Sequence, residues 1–165
     1  SELSSTPLNQ TEIWWIMTLF SKRTISLFYE VTTFSFHLIK MSTVIATEDA
    51  PGAIGPYVQG RVIGNMLFTS GCVAINPHTN EKPESIEEQT KLVLSNMNAI
   101  LTAGGFSKTD VVKTTVFLLD MGDFNTVNQI YADYFGEHKP CRTCVQAAKL
   151  PGTFKIEIEA IAVKP

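Results

Sequence analysis

The last stretch of the chain, residues 155–163, alternates between two kinds of side chain. A period of two is the pattern of a β-strand, whose successive side chains point to opposite faces of a sheet. One set is wholly apolar and predicts a face on a hydrophobic core. The other set is mixed, which normally means solvent, but its apolar end indicates a face that meets another subunit or lines a pocket. The first set is Ile156, Ile158, Ala160 and Ala162, and the second is Lys155, Glu157, Glu159, Ile161 and Val163.

Five further strands and two helices are predicted after Met41. The first helix begins with the capping-box spacing of Ser85 and Glu88 and ends at the glycine pair 104–105. The second begins near Asp123 and carries one apolar face. The order β-β-β-α-β-α-β-β predicts an α+β fold, with a mixed six-stranded sheet and both helices on one face. The predicted strands span residues 43–46, 58–63, 66–75, 110–119, 143–149 and 154–163.

Residues 1–40 differ in composition from the rest of the chain. They hold both tryptophans and seven of the sixteen aromatic residues, but their six charges sum to zero. Their longest apolar run, 13–20, is far shorter than the roughly 20 residues of a membrane span, so no membrane partner is predicted. One arginine against three glutamates fits a transit peptide poorly. We therefore expect 1–40 to be a tag, gene-model or weak targeting segment, and 41–165 to be the functional domain.

Charge and cysteine content exclude several classes of protein. The net charge of −3 argues against a nucleic-acid partner, since such proteins concentrate Lys and Arg. Three cysteines is an odd number, which disfavours a disulfide framework and predicts a reducing compartment. The expected location is cytoplasmic, or mitochondrial if residues 1–40 are a real transit segment. Cys141 and Cys144 form a C-x-x-C, but at i and i+3 of a strand their sulfurs diverge, so neither metal nor dithiol chemistry is predicted.

Arg142 is one of only two arginines after Met41. A planar guanidinium can hold a carboxylate through two parallel hydrogen bonds, and the alternative is a surface ion pair. If the last two strands form a simple hairpin, Arg142 and Glu157 share a face, together with Cys144, Gln146 and Glu159. They would still lie about 13 Å apart along the ladder. The second contributor to a shared ligand is therefore expected from a neighbouring chain.

Asn128 interrupts the apolar face of the second predicted helix. An unpaired amide buried there would cost about 1 to 3 kcal/mol. We therefore expect Asn128 either to find a structural partner or to face a polar cavity.

Six runs of sequence resemble a known family, and the Arg-to-Glu block at the end is the most specific of them. The family is RidA (YjgF), the reactive intermediate deaminases, which also includes L-PSP-type endoribonucleases; the resemblance covers residues 41–165. It implies a chorismate-mutase-like homotrimer with clefts between subunits. It also implies hydrolysis of enamines and imines such as 2-aminoacrylate, released by pyridoxal-phosphate-dependent dehydratases, to a 2-keto acid and ammonia, without a cofactor. The runs are APGAIGPYVQG at 50–60, TSG at 69–71, VKTTVF at 112–117, DFNTVN at 123–128, CRTCV at 141–145 and IEIEA at 156–160.

The resemblance also implies residue roles. Arg142 would clamp the substrate carboxylate, and Glu157 would position or activate the attacking water. Five further residues would bind substrate, with Tyr57 at the border of the cleft, Ser70 and the Gly71 backbone on its floor, Asn128 within it, and the Cys144 backbone near the imine nitrogen.

Two alternative functions stay open at this point. One is an endoribonuclease or translation inhibitor, against which the acidic charge counts. The other is a non-catalytic, carboxylate-binding trimer, which needs Arg142 but not Glu157. The sequence also departs from the family pattern beside the cleft, with Cys72 where Gln is common and Cys141 where Ala is usual. These departures leave the preferred substrate side chain open.

Overall fold

A computed structural model of the chain describes residues 42–165, together with the exposed helical pair Gln10 and Thr11. The chain divides into two units, Ser1–Lys40 and Met41–Pro165. The predicted origin of residues 1–40 lies outside the described residues and stays a prediction. Among the described residues, no helix is long and apolar enough to cross a membrane.

The second unit contains six strands and two α-helices in the predicted order, and the α+β class is confirmed. The strands form one sheet in the order β1-β2-β3-β6-β4-β5, in which only the β4–β5 pair is parallel. Helix α2 connects that parallel pair, which cannot be joined by a tight turn. The elements are β1 (Thr43–Ile45), β2 (Gly60–Ile63), β3 (Met66–Thr69), α1 (Ile86–Ala103), β4 (Val111–Leu118), α2 (Phe124–Phe135), β5 (Cys141–Gln146) and β6 (Ile156–Val163).

Both helices lie on one face of the sheet and begin where the sequence predicts, and α1 ends at the predicted glycine pair. The Ser85 hydroxyl caps α1 by accepting from the Glu88 amide at 3.2 Å, and it donates to the Glu88 carboxylate at 3.0 Å. Helix α2 ends at Gly136, whose φ of +62° suits glycine. The apolar set of β6 is buried beneath the helices, as its alternation predicts.

The prediction that β5 and β6 form a hairpin is wrong. Strand β4 lies between them and pairs with both. The connection between β5 and β6 crosses the end of β4, since Ala147 donates to the Leu118 carbonyl and Leu119 to the Lys155 carbonyl, each at 2.8 Å. Its apolar side chains, Leu150 and Phe154, are buried rather than exposed at a turn. The turn signal at residues 151–152 therefore does not produce a hairpin, and the connection packs on the core instead.

The predicted strand 66–75 is also too long, because β3 ends at Thr69. The chain then makes one isolated bridge through its backbone. The Cys72 amide donates to the Ile158 carbonyl at 2.8 Å, and the Cys72 carbonyl accepts from the Ile158 amide at 3.1 Å. The gap between Thr69 and this bridge leaves Ser70 and Gly71 beside the middle of β6.

The other face of the sheet, which we call the open face, is covered by no helix of residues 42–165. It carries the mixed set of β6, and apolar side chains on neighbouring strands continue it: Ile63 is 50% exposed, Phe68 37% and Val145 42%. Phe68 lies directly opposite Ile161 in the ladder. An apolar patch of this kind is typical of a protein–protein interface.

Candidate functional site

The predicted site residues fall into two groups, and the two predicted catalytic residues, Arg142 and Glu157, lie on opposite faces of the sheet. Arg142 lies beside Thr114 of β4, which is paired in turn with buried Ala160, so Arg142 projects to the helix face. Glu157 is paired with Phe117, three positions further along β4, and projects to the open face. The expectation that both side chains lie on one face is therefore wrong. The expectation fails because strand β4 lies between β5 and β6, so the register of a direct hairpin between them does not apply.

Arg142 is held by aromatic rings. Its guanidinium carbon lies 4.8 Å from the Tyr131 ring centroid and 5.7 Å from that of Phe124, both on α2. This is cation–π geometry. The Tyr131 hydroxyl is fixed in turn by a 2.7 Å hydrogen bond to Thr114 Oγ1. Within residues 42–165, no carboxylate oxygen lies within 4.0 Å of Arg142, so the surface ion pair is not found there.

Asn128 and Cys144 lie near this arginine. Asn128 is half-buried and shares one stripe of α2 with Phe124 and Tyr131, since the three are spaced at i, i+4 and i+7. No described residue makes a hydrogen bond to its amide side chain, which fits the polar-cavity alternative better than a structural partner. Cys144 lies two residues along β5 from Arg142 on the same face. Burial raises the pKa of the Cys144 thiol, and the nearby Arg142 charge opposes this effect.

The second group is built around Gly71 and Glu157. The Glu157 carboxylate packs directly on the Cα of Gly71, and a Cβ there would overlap Oε1 and lie 2.6 Å from the carboxyl carbon. Only glycine therefore allows this contact. Burial, and then the neighbouring Glu159 charge, raise the pKa of the Glu157 carboxyl. A half-buried carboxylate with a raised pKa is suited to accept a proton from water near neutral pH.

Ser70 and Tyr57 belong to this second group. The Ser70 amide donates to the Gln59 carbonyl at 2.9 Å, and its hydroxyl donates to the Val58 carbonyl at 2.6 Å. Ser70 thus ties the end of β3 to the chain that follows Tyr57. The Tyr57 ring is 48% exposed at the tip of its loop. Its position is that of a residue bordering a cleft.

A narrow pocket opens between this loop and α1, with about 430 Å³ of empty space when the open solvent at its mouth is included. Three predicted site residues line it, namely Tyr57, Ser70 and Gly71, and the others do not. Most of the remaining wall is apolar and comes from Ile54, Val73, Ile75 and Ile100, with Gln59 and Asn96 as polar contributors. Sequence reasoning missed Gln59, for which the available signal was a polar residue inside the predicted strand 58–63.

The three cysteines offer no metal or dithiol site within residues 42–165. Cys72 is buried, and burial followed by the nearby Glu157 charge raises the pKa of its thiol to about 12. Cys141 and Cys144 lie opposite Lys113 and Val116 of β4, and therefore point to opposite faces. The described residues contain no cluster of three side chains able to hold a metal ion.

The fold and these motifs place the chain in a known family. The model of the endoribonuclease L-PSP family matches residues 47–164. The chain therefore belongs to this family, the RidA/YjgF family that the sequence motifs resemble.

Particular relatives are close in sequence and in structure. The 2-iminobutanoate/2-iminopropanoate deaminase of Escherichia coli K12 is 53% identical over 127 residues, which are 75% of this chain and 99% of the relative. The crystal structure of the E. coli YjgF gene product has a TM-score of 0.72 at 51% identity, covering 74% of this chain and 99% of that one. The crystal structure of E. coli TdcF with bound serine has a TM-score of 0.73 at 49% identity, with the same coverage of both chains.

Proposed function

We propose that this protein is a reactive intermediate deaminase that hydrolyses 2-imino acids and their enamine tautomers. Water adds to the imine carbon, the C–N bond breaks, and the products are a 2-keto acid and ammonia. The name of the E. coli relative at 53% identity states this class of substrate. The serine in the structure of another relative supports a small ligand that carries a carboxylate.

The observation that carries the proposal is the set of contacts that holds the Arg142 side chain. Aromatic rings hold its guanidinium, and within residues 42–165 no carboxylate takes up its donors. A guanidinium held in this way can give two parallel N–H donors to a ligand carboxylate. Asn128, on the same stripe of α2, supplies a further amide beside the bound acid.

Glu157 serves the chemical step. Its carboxylate accepts a proton from the attacking water and returns a proton to the leaving nitrogen. The packing against Gly71 fixes the carboxylate, and a fixed carboxylate replaces a random encounter with a bound geometry. No nucleophilic thiol is needed, and the raised pKa of Cys72 makes that thiol a poor one.

We further propose a homotrimer in which each cleft combines residues of two chains. Arg142 and Glu157 project from opposite faces of one sheet, with strand β4 between their strands. One chain alone therefore does not bring both to one small ligand. The exposed apolar side chains of the open face support subunit contact there. In the trimer that we propose, the open face, which includes Glu157, packs on the neighbouring chain beside its Arg142.

The testing experiment supplies 2-aminoacrylate from a serine dehydratase and measures release of the 2-keto acid. We expect the protein to accelerate release over buffer. Arg142→Ala should lower kcat/KM by about 100-fold or more, because two charge-assisted hydrogen bonds of roughly 1.5 kcal/mol each are lost. Arg61→Ala is the matched control, since Arg61 is exposed and its guanidinium donates to Ser42 Oγ at 2.6 Å.

Other outcomes separate the alternative functions. A folded trimer that gives no acceleration contradicts the deaminase. RNA cleavage that survives Arg142→Ala would favour the endoribonuclease. Normal binding of 2-oxobutanoate, with no rate changed by any variant, would favour a carboxylate-binding protein without catalysis.

A further inference from the structure

The side chain of Gln59 is buried at 8% exposure, and all of its hydrogen bonds go to one loop. The two N–H donors of its Nε2 are shared among three carbonyls, those of Thr47 and Ala50 at 3.0 Å and that of Pro51 at 2.8 Å. Its Oε1 accepts from the Thr47 amide at 2.7 Å. One side chain thus replaces the backbone ladder that residues 47–51 lack.

The backbone of Gln59 makes its hydrogen bond to a different segment from the side chain. Its carbonyl accepts from the Ser70 amide at 2.9 Å, next to the glycine on which Glu157 packs. Gln59 also lines the pocket between Tyr57 and Gly71. It therefore joins the start of the Tyr57 loop to the floor of the site by direct hydrogen bonds on both sides.

We propose that Gln59 is a positioning residue, which fixes the loop 47–57 over the site floor and so sets the position of Tyr57 at the border of the cleft. It does not touch the reacting atoms. Its contribution is to keep the loop in its binding-competent state before substrate arrives. For the kinetic readout this inference rests on the proposed function.

The first test is hydrogen exchange of the peptide 47–57. Gln59→Met keeps the length and apolar bulk of the side chain but removes all four hydrogen bonds. We expect exchange of this peptide to become about 10-fold faster. Gln89→Met is the matched control, because Gln89 is buried and makes an equivalent two-ended link, from its Nε2 to the Pro83 carbonyl and from the Lys155 amide to its Oε1, each at 2.8 Å.

The second test is kinetic. With the loop competent in about one tenth of the molecules, Gln59→Met should raise KM about 10-fold and change kcat little. Gln89→Met should leave KM and kcat within two-fold of the wild-type values, even where its melting temperature falls as much as that of Gln59→Met. Should the wild type prove inactive, the proposed function fails. Titration with 2-oxobutanoate then replaces kinetics, and the same 10-fold loss of affinity is expected.

A third variant separates positioning from a general loss of stability. In Gln59→Glu, an ionised carboxylate would face three carbonyls without a donor, whereas the protonated acid regains one O–H donor and still accepts from Thr47. The ratio of its kcat/KM to that of the wild type should rise as pH falls, while the ratio for Gln59→Met stays flat. If Gln59→Met does not fold, Gln59→Asn, which keeps the amide on a shorter stem, takes its place. Unchanged exchange at 47–57, or faster exchange with KM within two-fold of wild type, would overturn the proposal.

Discussion

Gly71→Ala tests the contact on which the proposed chemistry depends. The new methyl carbon would stand 2.6 Å from the Glu157 carboxyl carbon, about 1 Å inside ordinary contact, and would overlap Oε1. The backbone of Gly71 is not in the left-handed region, so alanine itself is tolerated there. The carboxylate must move instead. A displacement of about 1 Å is expected to lower kcat about 100-fold, or about 2.7 kcal/mol.

Stability should change much less than turnover. The overlapped atoms are the end of a flexible side chain, so the free energy of unfolding should fall by no more than about 1–2 kcal/mol. Both quantities are measurable, kcat in the dehydratase-coupled assay and the unfolding free energy by urea titration. Gly52→Ala is the control, because its methyl would meet nothing within 4 Å although Gly52 lies on the same rim of the pocket.

A double-mutant cycle decides whether the effect passes through the carboxylate. Glu157→Gln should lower kcat strongly by itself, and adding Gly71→Ala to it should cost little more, since the two residues act as one unit. A kcat of Gly71→Ala within two-fold of wild type would refute the reasoning. Full additivity of the two changes would refute it equally, because the glycine would then act elsewhere.

Three further predictions concern groups around the two halves of the site. Only ionised Glu157 accepts a proton, so its raised pKa sets an acid limb of the kcat/KM–pH profile. Glu159→Gln removes one cause of the raised pKa and should move this limb to lower pH. An unmoved limb would contradict the prediction. Tyr131→Phe should lower the unfolding free energy by about 1 kcal/mol through the lost Thr114 bond while keeping kcat/KM, since the ring stays; a large loss of activity would argue against ring support alone. Cys72 should resist a thiol reagent in the native protein and react on unfolding, and fast native labelling followed by mass spectrometry would contradict its burial.

The sequence predicts the local features of this fold well. The alternation of 155–163, the Ser85 cap and the glycine that ends α1 are readable because each depends on neighbours within one or two turns of chain. Strand partners depend on distant contacts instead. In this fold β4 separates β5 from β6, and the connection between them buries Leu150 and Phe154, which no local pattern reveals.

The same distinction between local features and distant contacts applies to the candidate site. Residue types suited to binding a carboxylate or activating water are visible in the sequence, and a family resemblance assigns them roles. Their mutual placement is not visible. The packing of Glu157 on Gly71 joins positions far apart in the chain, and the stacking of Arg142 on Tyr131 requires the parallel register of β4 and β5.

The way Arg142 is held also explains why it can serve a ligand. A carboxylate partner would also fix the guanidinium, but it would occupy the N–H donors that a substrate acid needs. The faces of Tyr131 and Phe124 stabilise the charge from the side and leave the edge of the guanidinium to the ligand. Replacing Tyr131 by leucine should therefore raise the Kd for 2-oxobutanoate in a titration, although leucine fills most of the same space. Placing a carboxylate there should raise this Kd further, because the arginine would then be paired before the substrate arrives.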